Sequence, residues 1–93
     1  MNIKELASLK PRFVTREVGN ELILVPLTGN IAQMNEMFTL NETAKTIWEN
    51  MDQVESLEEL KQVILDNFEI DEMTAENDIK KFLTHLLDVL KRK

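Results

Sequence analysis

The spacing of apolar residues changes near residue 41, and this change constrains the fold more than any other feature of the 93-residue sequence. Before it, short runs of β-branched and apolar residues alternate with Gly-containing turns, which is typical of strands. After it, apolar residues recur at intervals of three and four, which is typical of amphipathic helices. A chain of this length is expected to form one domain. We therefore predict a single α+β domain over residues 1–93, in which a sheet precedes the helices.

Three strands are predicted in residues 13–40. Phe13 to Val18 and Glu21 to Pro26 flank the dipeptide Gly19-Asn20, and such a two-residue connection predicts a β-hairpin because Gly accepts the positive φ of the turn. A turn at residues 28–30 follows. The third strand is predicted from Glu36 to Leu40, where aromatic and β-branched residues favour an extended backbone.

The second strand is apolar at four successive positions, Leu22 to Val25, so both of its faces are expected to be buried. Helices on one side of a small sheet would cover only one face. Residues 1–10 are expected to form a loosely held arm or a short helix, since Ile3, Leu6 and Leu9 are three apart. Two coverings for the second face therefore remain open, namely this arm or a contact with a partner, including a second copy of the chain.

Three helices are predicted in residues 41–91. Asn41 is a suitable N-cap for the first, and Ser56 with Glu59 forms a capping-box pattern at the start of the second. The third is predicted over about residues 72–91, because acidic side chains lie near its start and basic ones near its end. Its apolar residues cover an arc of roughly 160°, wider than the stripe of roughly 100° that packing on one core requires. Part of this face is therefore available as the wall of a groove.

The residue types exclude several classes of function. The chain has no cysteine, which excludes disulfides, thiolate metal sites and a cysteine nucleophile. His85 is the only histidine, so no His-pair metal motif is present and no nucleophile can be assigned to it. We expect no catalysis, no cofactor and no metal. There is also no signal sequence and no apolar stretch near the roughly 20 residues of a membrane span, so we expect a cytoplasmic protein without membrane contact.

Charge is distributed unevenly along the chain. The net charge is −6, yet residues 79–93 contain five basic side chains and one acidic side chain. An acidic protein is not attracted to a phosphate backbone, so we expect no nucleic-acid partner. Two alternatives remain open. The hairpin followed by helices would also suit an acidic winged-helix DNA-binding regulator, and the apolar second strand would suit a scaffold protein that forms a homodimer.

A segment at the start of the first helix resembles a known family. Leu40-Asn41-Glu42-Thr43-Ala44, followed by Ile47-Trp48, resembles the PqqD family, named for coenzyme PQQ synthesis protein D, whose members carry a similar segment. Ser56 to Leu60 and Phe68 to Asp71 continue the resemblance, which runs from about Phe13 to Leu90. It implies a winged helix-turn-helix-like fold, with a three-stranded antiparallel sheet in residues 13–40 and three helices in residues 41–91.

The resemblance also implies a function. Proteins of this family are non-catalytic and capture the leader of a ribosomally synthesised precursor peptide, which they present to a modifying enzyme, frequently a radical SAM protein. The leader adds a strand beside the third strand and lies against the third helix, whose wide apolar arc would supply side-chain pockets. The basic end of the chain would favour acidic leaders. The implied peptide-binding residues are Glu36, Met37, Phe38, Thr39, Asp78, Lys81, Phe82 and His85.

Overall fold

The hairpin predicted at Gly19-Asn20 is present in the computed structural model of the chain, which describes the backbone of residues 3–91 and the side chains of residues 3–89. Strands β1 (Phe13–Val18) and β2 (Glu21–Thr28) pair antiparallel. Gly19 has a φ of 61°, in the left-handed region that favours glycine. The turn therefore has the backbone conformation that the sequence predicts.

The other side of β2 pairs with two short strands. β3 (Ile31–Ala32) lies beside the end of β2, and β4 (Phe38–Leu40) lies beside its first half. A 3₁₀ turn, Met34–Glu36, separates β3 from β4. The prediction that the third strand begins at Glu36 is therefore wrong, because Met37 donates its N–H to the carbonyl of Met34 and closes this turn first.

Four helices accompany this antiparallel sheet of four strands in the described part of the chain. They are α1 (Ile3–Ala7), α2 (Glu42–Asn50), α3 (Leu57–Asn67) and α4 (Glu72–Lys91). The predicted α+β class, with the sheet before the main helices, is confirmed. β3 is an addition to the three predicted strands, and it is too short for a search for periodicity to reveal. α1 is the short helix that was one of the two expectations for residues 1–10.

The helix starts follow from local hydrogen bonds. Asn41 Oδ1 accepts the N–H of Ala44 at 2.9 Å, and Ser56 Oγ accepts the N–H of Glu59 at 3.2 Å. The Glu59 carboxylate reaches back to the N–H of Glu55, also at 3.2 Å. Each bond satisfies a backbone donor that the helix or its approach would otherwise leave unpaired. The N-caps predicted at Asn41 and Ser56 are thus confirmed, whereas the Glu59 carboxylate accepts the N–H of the residue before the N-cap and not that of Ser56 as a capping box predicts.

The core lies between the helices and one face of the sheet. Sixteen buried apolar side chains form it. They are Ile3, Leu6, Phe13, Leu22, Leu24, Leu40, Ile47, Trp48, Met51, Leu60, Ile64, Ala75, Ile79, Phe82, Leu86 and Val89. Every one of the four helices and three of the strands contribute, so the sheet, the arm and the helix layer share one core.

The N-terminal arm packs on the helix side of the sheet. Ile3 and Leu6 of α1 belong to the core, and Lys10 pairs with Asp52 after α2 at 3.1 Å. The interpretation that this arm covers the second face of β2 is therefore wrong. The sequence could not distinguish packing on the helix side of the sheet from packing on its second face, because the apolar residues of the arm would be buried in both positions.

The second face of the sheet is only partly covered. Val25 is 7% exposed although it lies outside the core, and the 3₁₀ turn Met34–Glu36 contacts β2 near it. Val14 and Val18 of β1, by contrast, are 48% and 51% exposed. No helix in residues 3–91 combines the length and the apolar character that crossing a membrane would require.

Candidate functional site

A cleft of about 190 Å³ lies where β4, the start of α2 and the middle of α4 meet. β4 leads directly into α2 through the N-cap residue Asn41, so the strand end and the first helical turn are held together by the chain itself. α4 forms the opposite wall. The lining residues are Phe38, Thr39, Leu40, Asn41, Thr43, Ala44, Asp78, Lys81, Phe82 and His85.

The structure brings together six of the eight residues that the family resemblance implies. They are Phe38, Thr39, Asp78, Lys81, Phe82 and His85. Glu36 and Met37 do not line the cleft. Glu36 belongs to the 3₁₀ turn, and Met37, which closes that turn, is 51% exposed.

Three lining residues at the start of α2 were missed by the sequence analysis. Asn41 is predicted as the N-cap of the helix, and Thr43 and Ala44 are part of the segment that carries the family resemblance, but none of the three is given a place in the site. A signal was available, since a helix that begins one residue after an edge strand must present its first turn at the same edge. The first turn of α2 could have been assigned to the site on that ground.

Aromatic rings form the apolar part of the cleft. The rings of Phe38 and His85 lie with their centroids 4.4 Å apart and their planes inclined by 31°. Phe38 also makes an edge contact with Phe13, and Phe13 makes one with Trp48. Phe82 is 5% exposed and closes the cleft from α4. The exposed His85 ring therefore contacts Phe38, which in turn contacts the buried core.

The pairing pattern of β2 fixes which backbone groups of β4 face outwards. Pro26 accepts the N–H of Gln33 at 2.9 Å, so its carbonyl points to the side of β3 and β4. Along an antiparallel strand, the backbone N–H and carbonyl groups of successive residues point alternately to the two neighbouring strands. Leu24 and Leu22 therefore point these groups to the same side as Pro26. Their partners in β4 are Phe38 and Leu40.

The remaining residue of β4 consequently faces the open edge. Thr39 lies opposite Ile23 in a pair that exchanges no hydrogen bonds, because Ile23 points its backbone groups towards β1. The N–H and carbonyl of Thr39 therefore point away from the sheet. In the described part of the chain no strand pairs with this edge of β4.

Outside the cleft, two lysines connect elements of the fold. Lys10 hydrogen-bonds to Asp52, which lowers the pKa of that carboxyl, and its Nζ lies 5.5 Å from the centroid of the Trp48 ring. Lys61 of α3 lies within 3.5 Å of three carboxylates, those of Glu58, Glu72 and Glu76. Both clusters hold the arm or the helices together and lie away from the cleft. Among the described residues, no three side chains of metal-binding type converge on one point.

Comparisons with known proteins agree with this fold. Residues 21–89 match the family model of coenzyme PQQ synthesis protein D (PqqD). The chain is also similar to a solved structure described as TbiB1 in complex with the TbiA(beta) leader peptide, with 25% sequence identity, coverage of 83% of this chain and 84% of that chain, and a TM-score of 0.65. No curated protein matches it. Because the family model spans well over half of the sequence, the chain belongs to the PqqD family, as the segment from Leu40 to Trp48 predicts.

Proposed function

We propose that this protein is a non-catalytic peptide-binding protein, which captures the leader of a ribosomally synthesised precursor peptide by strand addition to β4. The observation that carries the proposal is the outward-facing backbone of Thr39 beside a cleft walled by α4. An extended peptide can hydrogen-bond to such an edge and direct alternate side chains into neighbouring pockets. Membership of the PqqD family supports this role, as does the likeness to a protein solved with a leader peptide.

The backbone of β4 offers few hydrogen bonds to a peptide. β4 is three residues long, and Phe38 and Leu40 direct their backbone groups to β2. Within the strand, only Thr39 presents both a donor and an acceptor to the open edge. Main-chain pairing can therefore set the direction and register of the peptide, whereas side-chain contacts must supply most of the affinity.

The cleft has room for a single large side chain of the peptide. An apolar cavity of about 150 Å³ holds a benzene molecule, so a volume of about 190 Å³ suits one aromatic or branched side chain. Phe38, Phe82 and His85 would contact it, and Asp78 and Lys81 would face the polar parts of the peptide at the rim. Glu36 and Met37, just before β4, would lie beside the peptide outside the cleft.

The captured leader would position the rest of the precursor for a modifying enzyme, and we propose a radical SAM protein as the partner. A protein in this role requires an open strand edge and an apolar cleft, and it requires no reactive side chain. The exposed side chains of Val14 and Val18 lie on β1, at the opposite edge of the sheet from β4. That surface therefore stays accessible while a peptide occupies the cleft.

Substitution of Thr39 tests strand addition. Thr39→Pro removes the outward N–H donor but leaves the pairing of β4 with β2 intact, because that N–H takes no part in it. We expect the affinity for a synthetic leader, taken from a precursor encoded beside this gene, to fall at least tenfold in isothermal titration. Thr39→Ala is the matched control, since it keeps the donor and should bind as the unaltered protein does. Unchanged affinity in a folded Thr39→Pro protein would rule out strand addition at β4.

A further inference from the structure

The lysines of the described chain fall into two groups. Those that precede residue 62 all lie within 3.8 Å of a carboxylate, and these are Lys4, Lys10, Lys45 and Lys61. Lys80 and Lys81 of α4, in contrast, pair with no carboxylate of residues 3–89. Within residues 3–89, two adjacent cations thus have no carboxylate partner, although the net charge of the chain is −6.

These two lysines lie beside the cleft. A depression of about 490 Å³ on the exposed side of α4 is lined by Lys80, Lys81, Thr84, His85 and Asp88. Lys81 and His85 line both this depression and the cleft. They are four residues apart, so they lie on the same face of α4, one turn from each other. The depression is therefore a continuation of the cleft across α4.

We infer that this depression binds an acidic segment of the same peptide, adjacent to the part that pairs with β4. The inference rests on the proposed function and adds the class of side chain that the peptide must carry. Lys80 and Lys81 supply two positive charges, and Asp88 is the one carboxylate among the lining residues described. A carboxylate of the peptide would complete ion pairs that the described chain does not provide.

The geometry limits where the acidic residues lie in the peptide. A peptide that leaves the cleft crosses α4 between Lys81 and His85, and a helix with its side chains is about 10 Å wide. An extended chain advances about 3.3 Å per residue. The acidic residues should therefore lie within about three residues of the apolar anchor. They should also lie on one side of it only, because the depression adjoins one wall of the cleft.

A phage-displayed library of random dodecapeptides, selected on the full chain, tests the inference. We expect the unaltered protein to enrich peptides with one large apolar residue and with Asp or Glu within three positions on one side. The double variant Lys80→Gln/Lys81→Gln should retain the apolar preference and lose the acidic one. A peptide selected on the unaltered protein should bind this variant about five- to tenfold more weakly, as expected for two exposed ion pairs.

The double variant Arg12→Gln/Arg16→Gln is the matched control. It removes the same charge from β1 and from the residue just before β1, at the opposite edge of the sheet, and should leave both preferences unchanged. Apolar enrichment without acidic enrichment on the unaltered protein would overturn the inference and leave the proposed function standing. Acidic enrichment that persists in the lysine double variant would overturn it as well. Failure to enrich any peptide, or equal enrichment on Thr39→Pro, would contradict the proposed function and the inference with it.

Discussion

Phe82 belongs to the apolar arc predicted for the last helix and His85 lies at the edge of that arc, and the structure gives the two residues different roles. Phe82 is a buried member of the core that also closes the cleft. His85 is exposed and contacts Phe38 through its ring. Periodicity places both residues on the same side of the helix but cannot tell which one the sheet covers. That distinction depends on the position at which β4 ends relative to α4, which is set by the tertiary structure.

Lys61 is an example of a charged residue with a structural role. Its side chain is 12% exposed, and its ammonium group lies 3.2 Å from Glu76, 3.3 Å from Glu58 and 3.5 Å from Glu72. The hydrogen bonds to Glu76 and then to Glu58 raise the pKa of Lys61 well above its ordinary value of 10.5. Glu72 and Glu76 belong to α4, so the cluster connects α3 to α4.

The raised pKa of Lys61 predicts a pH dependence of stability. In the unfolded chain Lys61 loses its proton near pH 10.5, whereas in the folded chain it keeps the proton to higher pH. Its contribution is therefore complete below pH 10.5 and is lost as the pH rises beyond that value. We expect Lys61→Gln to lower the urea midpoint by a constant amount from pH 7 to 10 and by less at pH 11. Lys4→Gln, which alters a pair at 3.8 Å with both side chains 78% exposed, is the control and should show almost no effect at any pH. A difference for Lys61→Gln that grows above pH 10.5 would contradict this account.

At the scale of elements, the helices were more predictable than the third strand. The limits of α4, Glu72–Lys91, agree with the predicted range because both the distribution of charge and the apolar periodicity indicate them. For the short strands β3 and β4, which pair with β2, no such set of independent sequence signals indicates the limits. Gln33 pairs with Pro26 and Phe38 pairs with Leu24, so the four residues from Met34 to Met37 oppose the single residue Val25. Side-chain propensity alone does not reveal such an interruption.

The candidate site was predictable to the extent that it follows from the family resemblance. That resemblance implies the strand and the helix that form the two walls, and six of its eight residues line the cleft. The outward orientation of Thr39 could not be derived from the sequence, because it depends on the register between β2 and β4. The first turn of α2 was missed because its residues served only to predict the helix start and the family resemblance.

The caps of α2 and α3 allow stability and binding to be separated. Ser56→Ala and Asn41→Ala each remove a side-chain acceptor from a helix N-terminus, so we expect each to lower the free energy of unfolding by about 1 kcal/mol. Asn41 lines the cleft and Ser56 does not. Urea denaturation should therefore show similar losses, whereas peptide titration should show weaker binding for Asn41→Ala alone. Equal affinities for the two variants would exclude the start of α2 from the site.

At the scale of the whole molecule, the cleft and the core belong to one cooperative unit. The Cα extents of 38 × 29 × 20 Å reflect a two-layer arrangement, with a helix layer against one face of the sheet. Phe82 and Leu40 line the cleft and are members of the single core. The cleft therefore cannot lose its walls without disturbing that core. A ligand that binds only the folded cleft must stabilise the entire fold.

Thermal unfolding with peptide present tests this coupling. At a peptide concentration of 100 times the Kd, binding to the folded state should add about 2.7 kcal/mol to the free energy of unfolding. For a domain of this size that corresponds to a rise in Tm of roughly 10–20 °C, which circular dichroism would follow through a single transition. The peptide is one selected on the unaltered protein, with binding verified at 25 °C. Thr39→Pro at the same peptide concentration should show at most about half of this shift, because an affinity at least tenfold weaker leaves a stabilisation of about 1.4 kcal/mol or less. A saturated protein whose Tm does not rise, or whose melting separates into two transitions, would show that the cleft opens independently of the core.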